Sequence, residues 1–478
     1  MYDVCIIGAG VVGMNIAREL SKYQLKICVL EKREDVSCGC SKANSGIVHG
    51  GYSDKPGSLK AEVCVAGNRM YEKLDQELHF GYRQTGSLVL AFQPEELDTL
   101  KELYDNGLQN GVGGLKLIDA VRVRELEPHL SSEVQGALYC ANAGVVSPYE
   151  FVIALAENAV ANGVELFLQT EVTAIEPVVE GYRLTARGRD FTAAHVINCA
   201  GVYCDAIAAM VGVSDYKVTP RRGQYVVLDK EQNYLVNSII FQVPTKMGKG
   251  ILVTTTYHGN LMIGPDAQDI DDKEDVSTDE AALEAIVRAA RKSVPGFDMK
   301  KALTSFAGNR PVADCKDFVI EERPRNFLQL IGIDSPGLTS SPAIALKVVE
   351  KLKAAGLVLA VKPDFIARRA PIIHKKDDSF AGGINDSNPE THLICRCEQV
   401  TEAEIIDCLR RGLPVNSLDG VKRRTRAGMG RCQGAFCGPR VRELLARELN
   451  IPADAVGGRG PASSQLAQRL QRGQLTRL

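Results

Sequence analysis

Four cysteines near the C-terminal end fall in two pairs. Cys395-Arg396-Cys397 is one, and Arg431-Cys432-Gln433-Gly434-Ala435-Phe436-Cys437 carries the other. Thiolates are soft ligands, and four of them gathered in one segment suit an iron–sulfur cluster or zinc. Structural zinc sites usually space each pair by two to four residues, so the tight C-x-C is less typical of zinc. The chain holds 14 cysteines in all. Most lie in apolar runs such as Val4-Cys5-Ile6 and Asn198-Cys199-Ala200, where a small buried hydrophobe is expected. In a reducing compartment the C-terminal clustering favours a metal site over disulfides. Cys38 and Cys40 form a further C-x-C whose role the sequence leaves open.

At the other end, Gly8-Ala9-Gly10-Val11-Val12-Gly13 is a G-x-G-x-x-G. Its context makes it a dinucleotide fingerprint: an apolar strand before it, a helix after it, then a second strand closed by Glu31. Gly8 permits the tight turn, Gly10 lets backbone approach a pyrophosphate, and Gly13 allows close helix–strand packing. Unpaired N–H groups at the helix start favour the diphosphate, and Glu31 is placed to accept from ribose hydroxyls. The fingerprint alone does not separate FAD from NAD.

These residues need elements to hold them. The opening reads as strand (Asp3–Ile7), turn, helix (about Val11–Tyr23) and strand (Leu25–Leu30). Helical patterns follow near Leu59–Leu78 and Tyr149–Asn162, and a strand-rich stretch covers Tyr216–Ile263. Gly332 to Ala345 again reads as strand, glycine turn and helix. Residues 362–390 mix Pro, Gly, Asp, Lys and Asn, which is linker composition. After Asp454 no acid occurs but Arg459, Arg469, Arg472 and Arg477 do, and a solvated basic tail is expected. At 478 residues several domains are expected, and a net charge of −2 gives no electrostatic case for nucleic acid. No apolar run reaches the roughly 18 residues of a membrane span, and the N-terminus shows no targeting pattern. A cytoplasmic protein is expected, with any membrane contact peripheral.

The segment Ser41-Lys42-Ala43-Asn44-Ser45-Gly46-Ile47-Val48-His49-Gly50-Gly51-Tyr52 resembles the second FAD-binding segment of the D-amino-acid-oxidase-like superfamily. Within it, the sequence is most similar to anaerobic-type glycerol-3-phosphate dehydrogenases and to L-2-hydroxyglutarate oxidases. Pro56–Ala61, Val196–Gly201, Pro220–Tyr225 and Gly259–Pro265 belong to the same pattern. Ser305–Pro311 resembles the substrate-side arginine segment, and Gly332–Thr339 the closing FAD motif. The two cysteine pairs are similar to a bacterioferritin-associated-ferredoxin-like module, which carries a two-iron, two-sulfur cluster.

The resemblance implies an α/β fold: a Rossmann-type FAD-binding domain interleaved with an antiparallel-sheet substrate domain, plus a small, mainly helical C-terminal Cys module. FAD-binding parts fall at about 1–80, 145–215 and 325–361, and substrate-domain parts at about 81–144 and 216–324. A linker (362–390), the cluster module (391–450) and the tail (451–478) follow. Ser41, Asn44, Ser45, Val172, Ala200, Gly201, Gly332, Gly337, Leu338 and Thr339 are expected at the flavin, with Cys395, Cys397, Cys432 and Cys437 at the cluster.

For the chemistry, Arg310 is the expected grip on an anionic substrate, because a guanidinium holds phosphate or carboxylate through two hydrogen bonds. His49 is the first candidate base, since imidazole titrates near neutrality. Packing beside the flavin, or covalent attachment to it, are the other readings of His49. His258 is a second candidate, or else only a hairpin corner. Lys246 and Lys249 resemble a segment of the glycerol-phosphate branch, and of Arg221 and Arg222 only one can face a site. The implied reaction is oxidation of sn-glycerol 3-phosphate to dihydroxyacetone phosphate, with electrons leaving through the cluster to a protein partner or quinone. A 2-hydroxy-acid oxidoreductase, an amine-oxidising relative and an electron-transfer subunit with a vestigial pocket are the alternatives.

Overall fold

The computed structural model describes residues 1–244, 250–377, 379–458, 470 and 472–478. Its first sheet grows from β1 (Tyr2–Ile7), followed by helix α1 (Val11–Leu20) and β2 (Ile27–Leu30). Four of the six residues of β1 and all four of β2 are buried, as a parallel strand covered on both faces requires. β1 runs parallel to β2 on one side and to Arg189–Asn198 on the other. Glu165–Phe167 extends the sheet beyond β2, and Phe327–Ile331 pairs in parallel with Val196–Asn198. The hairpin Val172–Val178/Gly181–Ala186 completes the other edge. Helix and strand boundaries follow the sequence reading closely. One difference is that Leu59–Leu78 is two helices, Leu59–Asn68 and Tyr71–Leu78.

The second sheet has nine strands. Its spine is β3 (Val218–Leu228) against β4 (Ala302–Ala313), antiparallel from Val218↔Ala313 to Leu228↔Ala302. Most of its pairs are antiparallel, but Ile239–Gln242 runs parallel to Ser87–Ala91, which a purely antiparallel expectation did not include. Helix α2 (Gly337–Ala354) follows the last strand of the first sheet and packs on α1 and on Leu59–Asn68. A Cβ at Gly67 would lie 2.2 Å from the Thr339 carbonyl oxygen, so only glycine permits this approach.

Past α2 the chain does not behave as a free linker. Arg369 donates to Glu157 (2.5 Å) and to the Leu78 carbonyl (3.0 Å), and Ile372 is buried in the core of the C-terminal module. That module is built on α3 (Leu418–Thr425) and α4 (Cys437–Leu449) with the short hairpin Leu393–Cys395/Val400–Thr401. It docks through buried charge. Arg423 and Arg424 of α3 both donate to Asp35 in the loop after β2, at 2.7–2.9 Å. Arg423 also donates to the Val36 carbonyl (2.7 Å). Although burial opposes it, the two guanidiniums hold the Asp35 carboxyl below its ordinary range. Lys42 lies 3.6 Å from Asp419, which Arg423 also bonds.

Of the basic tail, Arg459 and Arg469 lie outside the described residues, and Arg472 and Arg477 are exposed. The end of the chain packs: Leu475 is fully buried in the core of the second sheet, with Leu470 and Leu478 against the same cluster. Among the described residues no helix is long and apolar enough to cross a membrane.

Two outcomes follow from the seam. Removing one partner of a buried ion cluster costs about 3–5 kcal/mol, because the other charges stay buried. Asp35→Asn is therefore expected to undock the module, read as protease cleavage between residues 362 and 390 at a concentration that spares the parent protein. Asp419 is held at about 2 against an ordinary 3.8, burial being outweighed by Lys42, Arg423 and Lys422. Its contribution, about 2 kcal/mol, is complete above pH 4 and lost as pH falls, with about half gone by pH 3. Urea midpoints measured from pH 6 to pH 3 should fall less steeply in Asp419→Asn.

Candidate cofactor cleft and thiol cluster

Between the two sheets lies a cleft of about 1090 Å³. Gly8 sits at its floor with φ +105°, and a Cβ there would come 2.5 Å from the Cys199 carbonyl oxygen. Gly13 lies under the turn, where a Cβ would strike the Gly8 carbonyl oxygen at 2.1 Å. Gly10 begins α1 with no side-chain cap of its own; instead the Val11 N–H donates to Ser41 Oγ (2.9 Å). The start of α1 and the Ser41 segment are thereby joined across the cleft wall. Glu31 accepts the N–H groups of Ala9 (2.8 Å) and Arg33 (2.9 Å), and each of its oxygens can take a second donor. Burial raises its carboxyl above the ordinary range.

Ser41, Asn44, Ser45, Val172, Ala200 and Gly201 line the cleft with these residues. Asn44 spends its amide on the loop itself, donating to the Cys40 and Ser41 carbonyls and accepting from Gly46 N–H. Gly337, Leu338 and Thr339 close the far end at the start of α2, which no side chain caps. An uncapped helix start offers N–H groups and positive dipole to an electron-rich ligand. Gly332 stands just before the lining residues Ile333 and Asp334. It makes a φ +67° turn against Ala313 that directs the chain toward Asp334 and α2. The glycine floor, the ribose-side carboxylate and the two helix starts are a donor set that fits FAD.

His49 and Arg310 both line this cleft. The His49 N–H donates to Thr339 Oγ1 (2.9 Å), so the residue is anchored to the start of α2. Its ring stacks on Phe241, with centroids 5.9 Å apart. Arg310, on β4, donates to the carbonyls of Asp266 (2.8 Å) and Arg221 (3.3 Å). Arg221, paired across to Arg310, faces the cleft and is held by Asp269 at 2.6 and 2.9 Å. Strand alternation turns Arg222 away to Asp275, Ser277 and Gln268. Lys246 and Lys249 lie outside the described residues.

His258 is a correction. It stands away from the cleft lining and is hydrogen-bonded with Glu150 at 2.6 Å, half-buried on the seam with the C-terminal module. Burial lowers its imidazole, with Glu150 opposing, and Arg426 stands nearby. Cys40 faces the cleft and Cys38 approaches Arg423 (3.8 Å). Burial pushes both thiols up to about 11, so neither is a reactive thiolate at neutral pH.

The sequence reading assigned no role to Lys60, which lines the cleft and pairs with Asp334 at 2.6 Å. Lys60 and Asp334 lie within the Pro56–Ala61 and Gly332–Thr339 segments, so the sequence carries a signal for both. Tyr225 lies in Pro220–Tyr225, but its burial against Phe306 and contact with Ser45 depend on the folded register. Phe241 and Asp266 carried no sequence signal.

The four C-terminal thiols gather two by two. Cys397 and Cys432 are 3.8 Å apart, and Cys395 is hydrogen-bonded with Cys437. Four thiols divided into two pairs suit a two-iron cluster, each iron taking one pair. Cys395 is lowered to about 6, first by its bond with Cys437 and then by N–H groups of Gly428 and Glu398. Cys432, despite burial, is lowered by N–H groups of Phe436 and Gly434. A Cβ at Gly430 would lie 2.2 Å from Cys397 Cβ, so glycine is required where this loop closes.

Comparison with known proteins agrees with both halves. Residues 3–351 match the family described as FAD dependent oxidoreductase, and residues 393–447 match the BFD-like [2Fe-2S] binding domain. A glycerol 3-phosphate dehydrogenase of Caloramator mitchellensis is 46% identical over 94% of this chain and 95% of its own. A human mitochondrial L-2-hydroxyglutarate dehydrogenase is 33% identical over 56% of this chain and 61% of its own. The solved structure of a dithionite-reduced L-alpha-glycerophosphate oxidase from Mycoplasma pneumoniae, with FAD bound, superposes with a TM-score of 0.74. It is 32% identical, covering 77% of this chain and 98% of that one. A glycine turn, a carboxylate and two helix starts around one cleft, with paired thiols behind it, thus have one common explanation: this chain belongs to the FAD-dependent oxidoreductase family and carries a BFD-like [2Fe-2S] binding domain at its C-terminal side.

Proposed function

We propose that the protein oxidises sn-glycerol 3-phosphate to dihydroxyacetone phosphate and passes the electrons through its C-terminal module to a protein acceptor. The observation that carries this reading is the meeting of His49 and Arg310 in the one cleft that gathers the FAD-binding residues. Bound FAD supplies a two-electron acceptor for the hydride. The chain's own residues do the rest. Arg310 grips the phosphate, its guanidinium aimed by the Asp266 and Arg221 carbonyls. Arg221, already neutralised by Asp269, adds a second donor rather than a second free charge. His49 takes the hydroxyl proton while the carbon–hydrogen bond breaks, and Phe241 and Thr339 fix its place. Holding base, anion grip and acceptor in one geometry supplies much of the rate.

Glycerol 3-phosphate is preferred over a 2-hydroxy acid because the relative spanning 95% of its own length acts, by name, on the phosphate. The hydroxyglutarate relative, matched over 61% of its own length, supports the second reading, in which Arg310 grips a carboxylate. We place it in the cytoplasm, with any membrane contact peripheral, because thiols gathered in pairs for a cluster rather than closed in disulfides suit a reducing compartment.

An anaerobic titration tests the substrate. Glycerol 3-phosphate should bleach the flavin band at near-stoichiometric addition, while L-2-hydroxyglutarate should not; the reverse result would transfer the assignment to the hydroxy acid. Arg310→Ala should lower kcat/KM about 100-fold or more, in line with loss of a charge-assisted bidentate contact. Most of the change should fall on KM, with the flavin still bound and still reduced by dithionite.

A further inference from the structure

The tip of the C-terminal module is the place where electrons can leave the protein. Of the four paired thiols Cys397 alone is exposed, whereas Cys395 and Cys437 are buried and Cys432 is half-buried. Beside it stands Phe436, a large apolar side chain left 39% exposed. Arg396 and Arg440 flank that ring, their guanidinium carbons 5.8 and 5.4 Å from its centroid. Aromatic and arginine side chains grouped at an exposed spot are the composition of an interface centre.

The charge around this spot is one-sided. Glu398 is occupied by Arg426 and Lys230, Asp229 and Glu231 by Arg431, and Glu402 by His392 and Arg447. Arg440 donates to the carbonyls of Leu393 and Ile384 and bonds His392, and none of these partners is an acid. Among the described residues neither Arg396 nor Arg440 forms an ion pair, and the run from Ala427 to Arg442 contains no acidic residue. Positive potential around an exposed thiol steers negatively charged partners to it.

We infer that the surface formed by Arg396, Cys397, Phe436 and Arg440 docks an acidic one-electron carrier protein. This rests on the proposed exit of electrons through the module. Each substrate oxidised yields two electrons and two protons. Two carrier molecules each take one electron in successive encounters, and the protons leave to solvent.

A flavodoxin serves as the acidic probe, titrated into the holoenzyme by calorimetry at about 20 mM and about 500 mM salt. Binding is expected at low salt and at least tenfold weaker at high salt. Arg396→Glu should weaken it about tenfold at low salt, with Arg440→Gln as the second variant, and basic cytochrome c should not compete. Flavin bleaching by glycerol 3-phosphate and the module's visible absorption should be unchanged in Arg396→Glu. Affinity insensitive to salt and to both variants overturns the inference. So does preferential binding of cytochrome c, or of quinone-bearing vesicles in a way that Arg396→Glu leaves intact. Loss of the visible absorption in Arg396→Glu would assign the arginine to holding the centre and overturn it too. Failure of glycerol 3-phosphate to bleach the flavin, with carrier binding still dependent on Arg396, would instead sink the substrate assignment alone.

Discussion

A carboxylate taken fully out of water survives as an anion only if cations meet it, and Asp35 is met by two. Its position gives this pairing its reach. The loop after β2 lines the cofactor cleft through Glu31, Arg33, Cys38, Cys40 and Ser41, and its Ser41 also holds the first N–H of α1. Arg423 and Arg424 belong to the helix that leads directly into the Gly428–Cys437 loop of the thiol cluster. One buried ion cluster therefore fixes the cofactor loop and the cluster loop against each other. Arg426, the residue after α3, adds a second fixed point through Tyr149, Asn260 and Glu398. With Lys42 on Asp419 in the first turn of this helix and the three arginines at its end, it has little freedom to rotate.

The cleft depends on a different constraint, the register of β3 with β4. Pairing Arg221 opposite Arg310 puts both guanidiniums on the cleft side and turns Arg222 into a buried cluster with Asp275. A slip of one residue would exchange them. Tyr225 stacked on Phe306 on the same pair of strands, with ring centroids 4.6 Å apart, resists such a slip. The opposite wall is set by glycines whose missing side chains permit contact: Gly308 allows the Ala43 carbonyl to within 2.0 Å of where a Cβ would stand. The cleft arginines and the Ser41 loop thus meet because one strand carries both Gly308 and Arg310.

What was legible in the sequence was local. The glycine turn, Glu31 and the closing turn before α2 are short segments whose conformation their own residues dictate, and the cleft gathers nearly all of them. The paired cysteines are legible for the same reason. His258 misled because its partner Glu150 lies 108 residues away, and that contact draws it to the seam. Asp35 gave no signal at all: Arg423 and Arg424 lie 388 and 389 residues further on. The tail reads as basic and solvated because arginines dominate its composition, and Arg472 and Arg477 are exposed; the burial of Leu475 in the second sheet's core is a long-range contact that composition does not show. Gly332 is legible as a turn glycine, because its positive φ is a local demand of the chain.

Hydride chemistry delivers electrons in pairs and a two-iron centre passes them singly, so the two sites must be close yet chemically separate. The loop between them meets both needs. Cys38 and Cys40 lie in it, and burial holds both thiols protonated, with Arg423 and Arg310 opposing only in part. A thiol kept neutral is a poor nucleophile. The C-terminal thiols differ within each pair: Cys395 is lowered first by its bond with Cys437, and Cys432 by backbone N–H groups against burial, while burial raises Cys397 and the bond with Cys395 raises Cys437. The same residue type thus meets different environments in the two loops, and hydrogen-bond donors set against burial govern how readily each thiol ionises.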